Sequence, residues 1–186
     1  MKIVCIGNSI VNGFPYKRSC SFPSVLRELT GWEVINKGIN GQMASELLER
    51  FDRDVTAHRP DKVVILTGTN DFILDQHTSQ EVMEKIAAMQ EKAEDFGAET
   101  IWMTPILCNE EQASRCWMPE AGVDYSIVNE KLALLGELMK AGARDKISCK
   151  VIDLAVKYRK FGKFHDGIHP TAEGQRYIAN IVKEGI

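Results

Sequence analysis

"KVVILTGTND", residues 62–71, opens with a lysine and four apolar residues, three of them β-branched, and closes on glycine, threonine, asparagine and aspartate. An apolar run without alternation suits a strand buried on both faces, and the residues after it are those of turns and helix starts. The same form recurs at "KIVCI" (2–6), "EVI" (33–35), "TIWMT" (100–104) and "CKVID" (149–153). Between these runs the apolar residues fall at helical spacing, over about 23–30, 42–57, 79–96, 126–143 and 172–184. Within 79–96, Val82, Ile86, Met89, Ala93 and Phe96 recur three or four apart, and Gly97 stands where a helix-ending glycine belongs. Thr171 reads as an N-cap, with Glu173 in the first turn to suit the helix dipole.

Five strands that are apolar almost throughout, alternating with helices, imply a parallel sheet covered on both sides. Right-handed crossovers then give an α/β protein, a three-layer α/β/α sandwich with a flavodoxin-like parallel five-stranded sheet in the order 2-1-3-4-5. The chain has no repeat, low-complexity tract or linker, so a single domain over 1–186 is expected. A chain of this length buries about 70% of its unfolded surface, enough for a sizeable core.

Charge and composition exclude several classes. The 23 Lys and Arg against 26 Asp and Glu leave a formal charge of −3, with no basic field for nucleic acid. The basic, aromatic-interleaved "KYRKFGKFH" (157–165) reads as a solvated loop. No apolar stretch is long enough for a bilayer, and the N-terminal residues lack the pattern of a signal peptide, which points to the cytoplasm. The five cysteines are odd in number and never spaced CxxC, which argues against a disulfide framework or structural zinc. Cys5 and Cys149 lie in apolar runs as small core residues, and the four histidines form no metal-ligand pattern, so no metal site is expected.

In a sheet of this kind ligands bind beyond the carboxyl ends of the strands. Four short stretches should meet there: "GNS" (7–9), "NKGINGQ" (36–42), "TGTND" (67–71) and, past strand 5, "HDGIHP" (165–170). They bring a hydroxyl, a glycine-rich turn, a side-chain amide, and a carboxylate with an imidazole, the parts of an acyl-transfer site. Ser9 is the candidate nucleophile, though Gly-x-Ser after a strand also makes turns, and Val11 breaks the G-x-S-x-G pattern. His169 is the candidate base, with Asp166 three residues earlier to orient it. His165 is a weaker candidate, and His58 and His77 read as surface residues. The Asn70 amide and the backbone N–H groups of Gly41 and Ser9 are candidate oxyanion donors. An Asx-turn and a helix-start glycine are the structural alternatives for Asn70 and Gly41.

These blocks, in this order, resemble the SGNH hydrolases, the GDSL-type esterase/lipase superfamily. "GTND" and "DGIHP" are specific signals, "GNSI" is a variant of the GDSL block, and the resemblance spans nearly the whole chain. It implies Ser9 as nucleophile, His169 as base oriented by Asp166, and an oxyanion hole of Ser9, Gly41 and Asn70. It also implies ester or thioester hydrolysis without metal or organic cofactor. The family usually has aspartate before the serine. This chain has Asn8, which keeps the size and one acceptor and is expected to tune the turn.

The expected substrate is a small-molecule carboxylic ester or thioester, with a carbohydrate O-acetyl ester as alternative. A non-catalytic module holding a small anion is the rival from another class, although GxGxxG and GxxxxGK[ST] are both missing. The long segment 105–125 offers Trp117, Met118 and Pro119, together with Phe14, Pro15 and Phe72, either as an apolar acyl pocket or as loop packing. The substrate-binding residues and the oligomeric state are not legible in the pattern.

Overall fold

The computed structural model describes residues 1–144 and 146–186. The strands are β1 (Lys2–Gly7), β2 (Glu33–Gly38), β3 (Lys62–Leu66), β4 (Glu99–Met103) and β5 (Cys149–Ile152). They form one parallel sheet in the order β2-β1-β3-β4-β5, as expected. The helices are α1 (Ser9–Asn12), α2 (Phe22–Thr30), α3 (Ala44–Glu49), α4 (Phe51–Asp54), α5 (Thr69–Ile73), α6 (Ser79–Glu94), α7 (Glu110–Cys116), α8 (Tyr125–Ala143), α9 (Leu154–Phe161) and α10 (Ala172–Gly185).

Alternation along the strands makes the three layers. Val4, Ile6, Val63, Ile65 and Trp102 face a core with α3, α4, α6 and α8, whereas Ile3, Cys5, Val64, Leu66, Ile101 and Met103 face one with α1, α2, α9 and α10. Both sets are almost wholly buried, which is why the strands read as unbroken apolar runs. Each such side chain contributes about 1.5–3 kcal/mol of transfer free energy. Cys5 and Cys149 are buried within these layers, and burial pushes both thiols up, Cys149 to about 11. They are inert core residues.

The helix ends follow local chemistry. At the start of α6, Thr78 Oγ1 accepts from Glu81 N at 3.2 Å, while Glu81 Oε2 accepts from Thr78 N at 2.7 Å. Thr171 caps α10 through Gly174 N at 3.1 Å.

Two expectations fail. The helix read over 42–57 is broken into α3, α4 and a 3-10 turn at Thr56–His58, with Arg50 at φ −93° and ψ 4° between the first two. The i, i+4 rhythm of Leu47, Phe51 and Val55 survives the break because all three still face the core, so periodicity alone does not reveal it. Segment 157–165, read as a solvated loop, is the end of α9 and the chain leaving it. Its lysines and arginine face solvent, but Tyr158 is fully buried, and Phe161 stacks on Tyr177 of α10 with centroids 4.5 Å apart. The part of the segment within α9 is amphipathic, and its basic face hid its aromatic one. Among the described residues no helix is long and apolar enough to cross a membrane.

Candidate active site

The carboxyl rim of the sheet brings the four expected stretches together. Ser9 is the first residue of α1, directly past β1, and the Asn8 side chain caps that turn by accepting from Ile10 N at 3.3 Å. An asparagine oxygen does here what an aspartate oxygen would do. Ser9 Oγ lies 2.9 Å from His169 Nε2, and His169 Nδ1 lies 2.7 Å from Asp166 Oδ2. Residues 160 apart in the chain thus form one hydrogen-bonded series, with Ser9 8%, Asp166 6% and His169 2% exposed. Water has little access to compete for these bonds, which strengthens them.

Asp166 is held at both oxygens. Oδ1 accepts Ile168 N at 3.0 Å and His169 N at 2.8 Å, leaving Oδ2 for the imidazole. Burial by itself would raise the carboxyl pKa. The His169 ring and the backbone donors outweigh it, and the group sits below its ordinary value. Gly167 makes the turn possible. At φ +92°, a Cβ there would come within 2.2 Å of Ala113 N in α7. That close packing lets Asn109 N donate to Gly167 O at 2.8 Å and Gln112 Nε2 donate to His165 O at 3.0 Å. The long segment 105–125 is therefore a brace for the Asp166–His169 turn.

The imidazole is framed by two aromatic rings. Phe14 lies 4.7 Å and Trp117 4.8 Å from the His169 ring, centroid to centroid, each edge-to-face. Trp117 is fixed in turn by its carbonyl, which accepts from Tyr125 Oη at 2.8 Å. Of the other apolar residues weighed for this region, Phe72 is buried in the core, and Met118 and Pro119 point to solvent. Pro15 is half-buried. His165 is exposed and its N–H donates to His169 O, so it lies outside the series.

The expected oxyanion donors sit on segments tied to one another. Ile39 N donates to Gly7 O at 3.1 Å, joining the β2 turn to the end of β1. Asn70 Nδ2 donates to Gln42 O at 2.9 Å, joining the β3 turn to the same segment and leaving its second N–H available. Ser9 N, in the first turn of α1, has no intrahelical acceptor. Gly41 N has no protein acceptor among the described residues. The backbone conformation calls for glycine at 41. A Cβ there would meet nothing within 4 Å, and it is the φ of +79° that demands glycine.

Three residues at this rim escaped the pattern reading. Arg50, 6% exposed, reaches Gly7 O, Lys37 O, Gln42 Oε1 and Asp54. Its signal was a charged i, i+4 pair, Arg50 and Asp54, on the face that carries Leu47 and Phe51. Asp71, wholly buried, accepts Ala44 N on both oxygens, at 3.1 and 3.2 Å, and fixes α3 to the β3 turn. Burial raises its pKa above the ordinary value, against the pull of Ala44 N–H and His77. His77, read as a surface loop residue, is instead partly buried with Nδ1 3.2 Å from Asp71 Oδ1, near enough for an ion pair but not aligned as a hydrogen bond. No group of three His, Cys, Asp or Glu able to hold a metal occurs among the described residues.

A hydroxyl, an imidazole and a carboxylate in series, at the carboxyl rim of a parallel α/β/α sheet, are the arrangement of serine hydrolases. The comparisons with known proteins narrow that class. The model of the GDSL-like lipase/acylhydrolase family matches residues 5–177. An acetylxylan esterase of Geobacillus stearothermophilus is 30% identical over 161 residues, which cover 80% of this chain and 69% of that protein. An acetylxylan esterase of Xylanibacter ruminicola is 25% identical over all of this chain and 43% of its own length, so the chain spans less than half of that relative. A solved structure of a G-D-S-L family protein from Desulfitobacterium hafniense DCB-2 superimposes with a TM-score of 0.83 at 27% identity, covering 100% of this chain and 99% of that one. The chain belongs to the GDSL-like lipase/acylhydrolase family, within the SGNH superfamily of ester hydrolases.

Proposed function

We propose that this chain hydrolyses carboxylic ester or thioester bonds of small acyl substrates through an acyl-enzyme on Ser9. The observation that carries this reading is the series Ser9 Oγ–His169 Nε2–Asp166, at 2.9 and 2.7 Å. Ser9 Oγ attacks the ester carbonyl as His169 Nε2 takes its proton, and Asp166 stabilises the imidazolium that forms. The developing oxyanion is received by Ser9 N–H, Gly41 N–H and the free N–H of Asn70. Collapse expels the alcohol or thiol, which takes the proton from His169. Water, deprotonated by the same nitrogen, then releases the acid and restores Ser9.

A second reading narrows the substrate to acetyl esters of carbohydrates. The leaving alcohol must pass His169 Nε2 to collect its proton, and that imidazole is framed by Phe14 and Trp117. Aromatic rings there suit a leaving group with a flat apolar face, as a sugar ring has. Two relatives are acetylxylan esterases, which supports the same choice.

A serine-directed fluorophosphonate should label Ser9 in the folded protein and fail to label His169→Ala. Folded wild-type protein that stays unlabelled refutes the acyl-enzyme. Rates on p-nitrophenyl esters of graded chain length, set against acetylated xylo-oligosaccharides, decide the substrate. A preference for long acyl chains over both acetyl substrates refutes the second reading.

A further inference from the structure

We infer that Arg50 is a positioning residue for the oxyanion donors, acting through the three chain segments that carry them. This rests on the reading of Ser9, Gly41 and Asn70 given above. The guanidinium is buried, and each of its nitrogens has an acceptor. Nη2 donates to Gly7 O at 3.1 Å and to Lys37 O at 2.9 Å, Nε to Gln42 Oε1 at 2.6 Å, and Nη1 to Asp54 Oδ2 at 2.9 Å.

Those acceptors are placed to matter. Gly7 is two residues before Ser9, Lys37 lies on the strand that leads to Gly41, and Gln42 directly follows Gly41. Gln42 also supplies the carbonyl that orients the Asn70 amide. One planar cation therefore bridges the ends of β1 and β2, where the parallel ladder stops, and steadies the residue on which the β3 turn leans. Lysine could not do this, because its donors radiate from a single point and cannot serve acceptors spread around a plane.

Stability alone accounts poorly for the choice of residue. Arg50 and Asp54 side chains are 5% and 10% exposed, so their pairing bears a desolvation cost that well-packed apolar residues would avoid. The break between α3 and α4 falls at this residue, between the apolar neighbours Leu47 and Phe51 that continue the core face. What the apolar alternative lacks is the set of donors aimed at the end of β1 and at β2 with its turn, on which Asn70 leans.

The test is steady-state kinetics on p-nitrophenyl acetate with Arg50→Met, Arg50→Lys, Asn70→Ala, the Arg50→Met/Asn70→Ala double variant and Ser9→Ala. Arg50→Met should lower kcat by about 10- to 100-fold, part of what one oxyanion donor supplies, with KM within about threefold. Arg50→Lys, which keeps the charge beside Asp54, should remain folded by circular dichroism and still fail to restore kcat. If Arg50→Met does not fold, Arg50→Lys carries the test, alone and paired with Asn70→Ala. In the Asn70→Ala background the loss on altering Arg50 should be smaller than in wild type, since one of the three donors it positions is already gone. Full additivity, a Lys variant with wild-type kcat, or a folded Met variant within about twofold of wild type overturns the inference. Should Ser9→Ala keep its activity, the acyl-enzyme reading itself falls. If Ser9→Ala is dead while the Arg50 variants are normal, only the positioning role falls.

Discussion

Replacing Asp166 by asparagine changes one atom, and the hydrogen bonds around it dictate which way the new amide must face. Oδ1 accepts two backbone N–H groups, Ile168 at 3.0 Å and His169 at 2.8 Å, so the amide oxygen must occupy that position. An NH2 there would face two donors and leave both unpaired. The amide nitrogen is then forced toward His169 Nδ1, where Oδ2 now sits at 2.7 Å. Facing a donor, Nδ1 must become the acceptor, and the ring proton moves to Nε2. Nε2 lies 2.9 Å from Ser9 Oγ and, once protonated, cannot take the serine proton. The expected loss is about 10⁴-fold in kcat, or about 5.4 kcal/mol of barrier at 1.36 kcal/mol per decade. The fold should survive, because both backbone bonds are kept and only the charge-assisted bond is exchanged, at about 1.5–3 kcal/mol. The assay is p-nitrophenyl acetate turnover beside a urea unfolding midpoint. A folded Asp166→Asn enzyme within about tenfold of wild-type kcat would refute both the amide orientation and the role of the imidazole as base.

Asn70→Ala should cost about 10²- to 10³-fold in kcat with KM nearly unchanged, since it removes a donor that matters most in the transition state; an unchanged rate would remove Asn70 from the oxyanion hole. Gly167→Ala puts a Cβ within 2.2 Å of Ala113 N at φ +92°, so it should destabilise the fold by at least about 2 kcal/mol in urea titration and slow turnover by displacing His169. The Asp166 carboxyl lies below its ordinary pKa in the folded state, so its stabilising contribution is present above the unfolded carboxylate range and is lost as pH falls through the folded value. Thermal melts from about pH 7 to about pH 3 should therefore show a shallower acid decline for Asp166→Asn than for wild type.

Read as a linear pattern, the chain discloses most of the architecture. Unbroken apolar runs such as Val63–Leu66 mark strands covered on both faces, and the helical intervals between them compel a parallel sheet. Parallel topology sends every strand end to one rim, so Ser9, Gly41 and Asn70 could be gathered there from sequence position alone, whereas Asp166 and His169 return to it only after α9. These are consequences of local periodicity and chain direction, which sequence carries directly.

What sequence position leaves open is decided by contacts between distant side chains. Whether Phe14 or Phe72 reaches the imidazole is not set by sequence position, and only packing sends the first to His169 and the second to the core. Arg50 breaks a helix whose apolar rhythm runs straight through it, because its acceptors belong to β1, β2 and the turn after β2. The segment Lys157–His165 shows its charges in the sequence, while the aromatic face of its helical part, which ends at Phe161, appears only against Tyr177. Periodicity records which face of an element is apolar. It cannot record which neighbour meets that face, because that choice is settled by the simultaneous packing of all the elements at close to crystalline density.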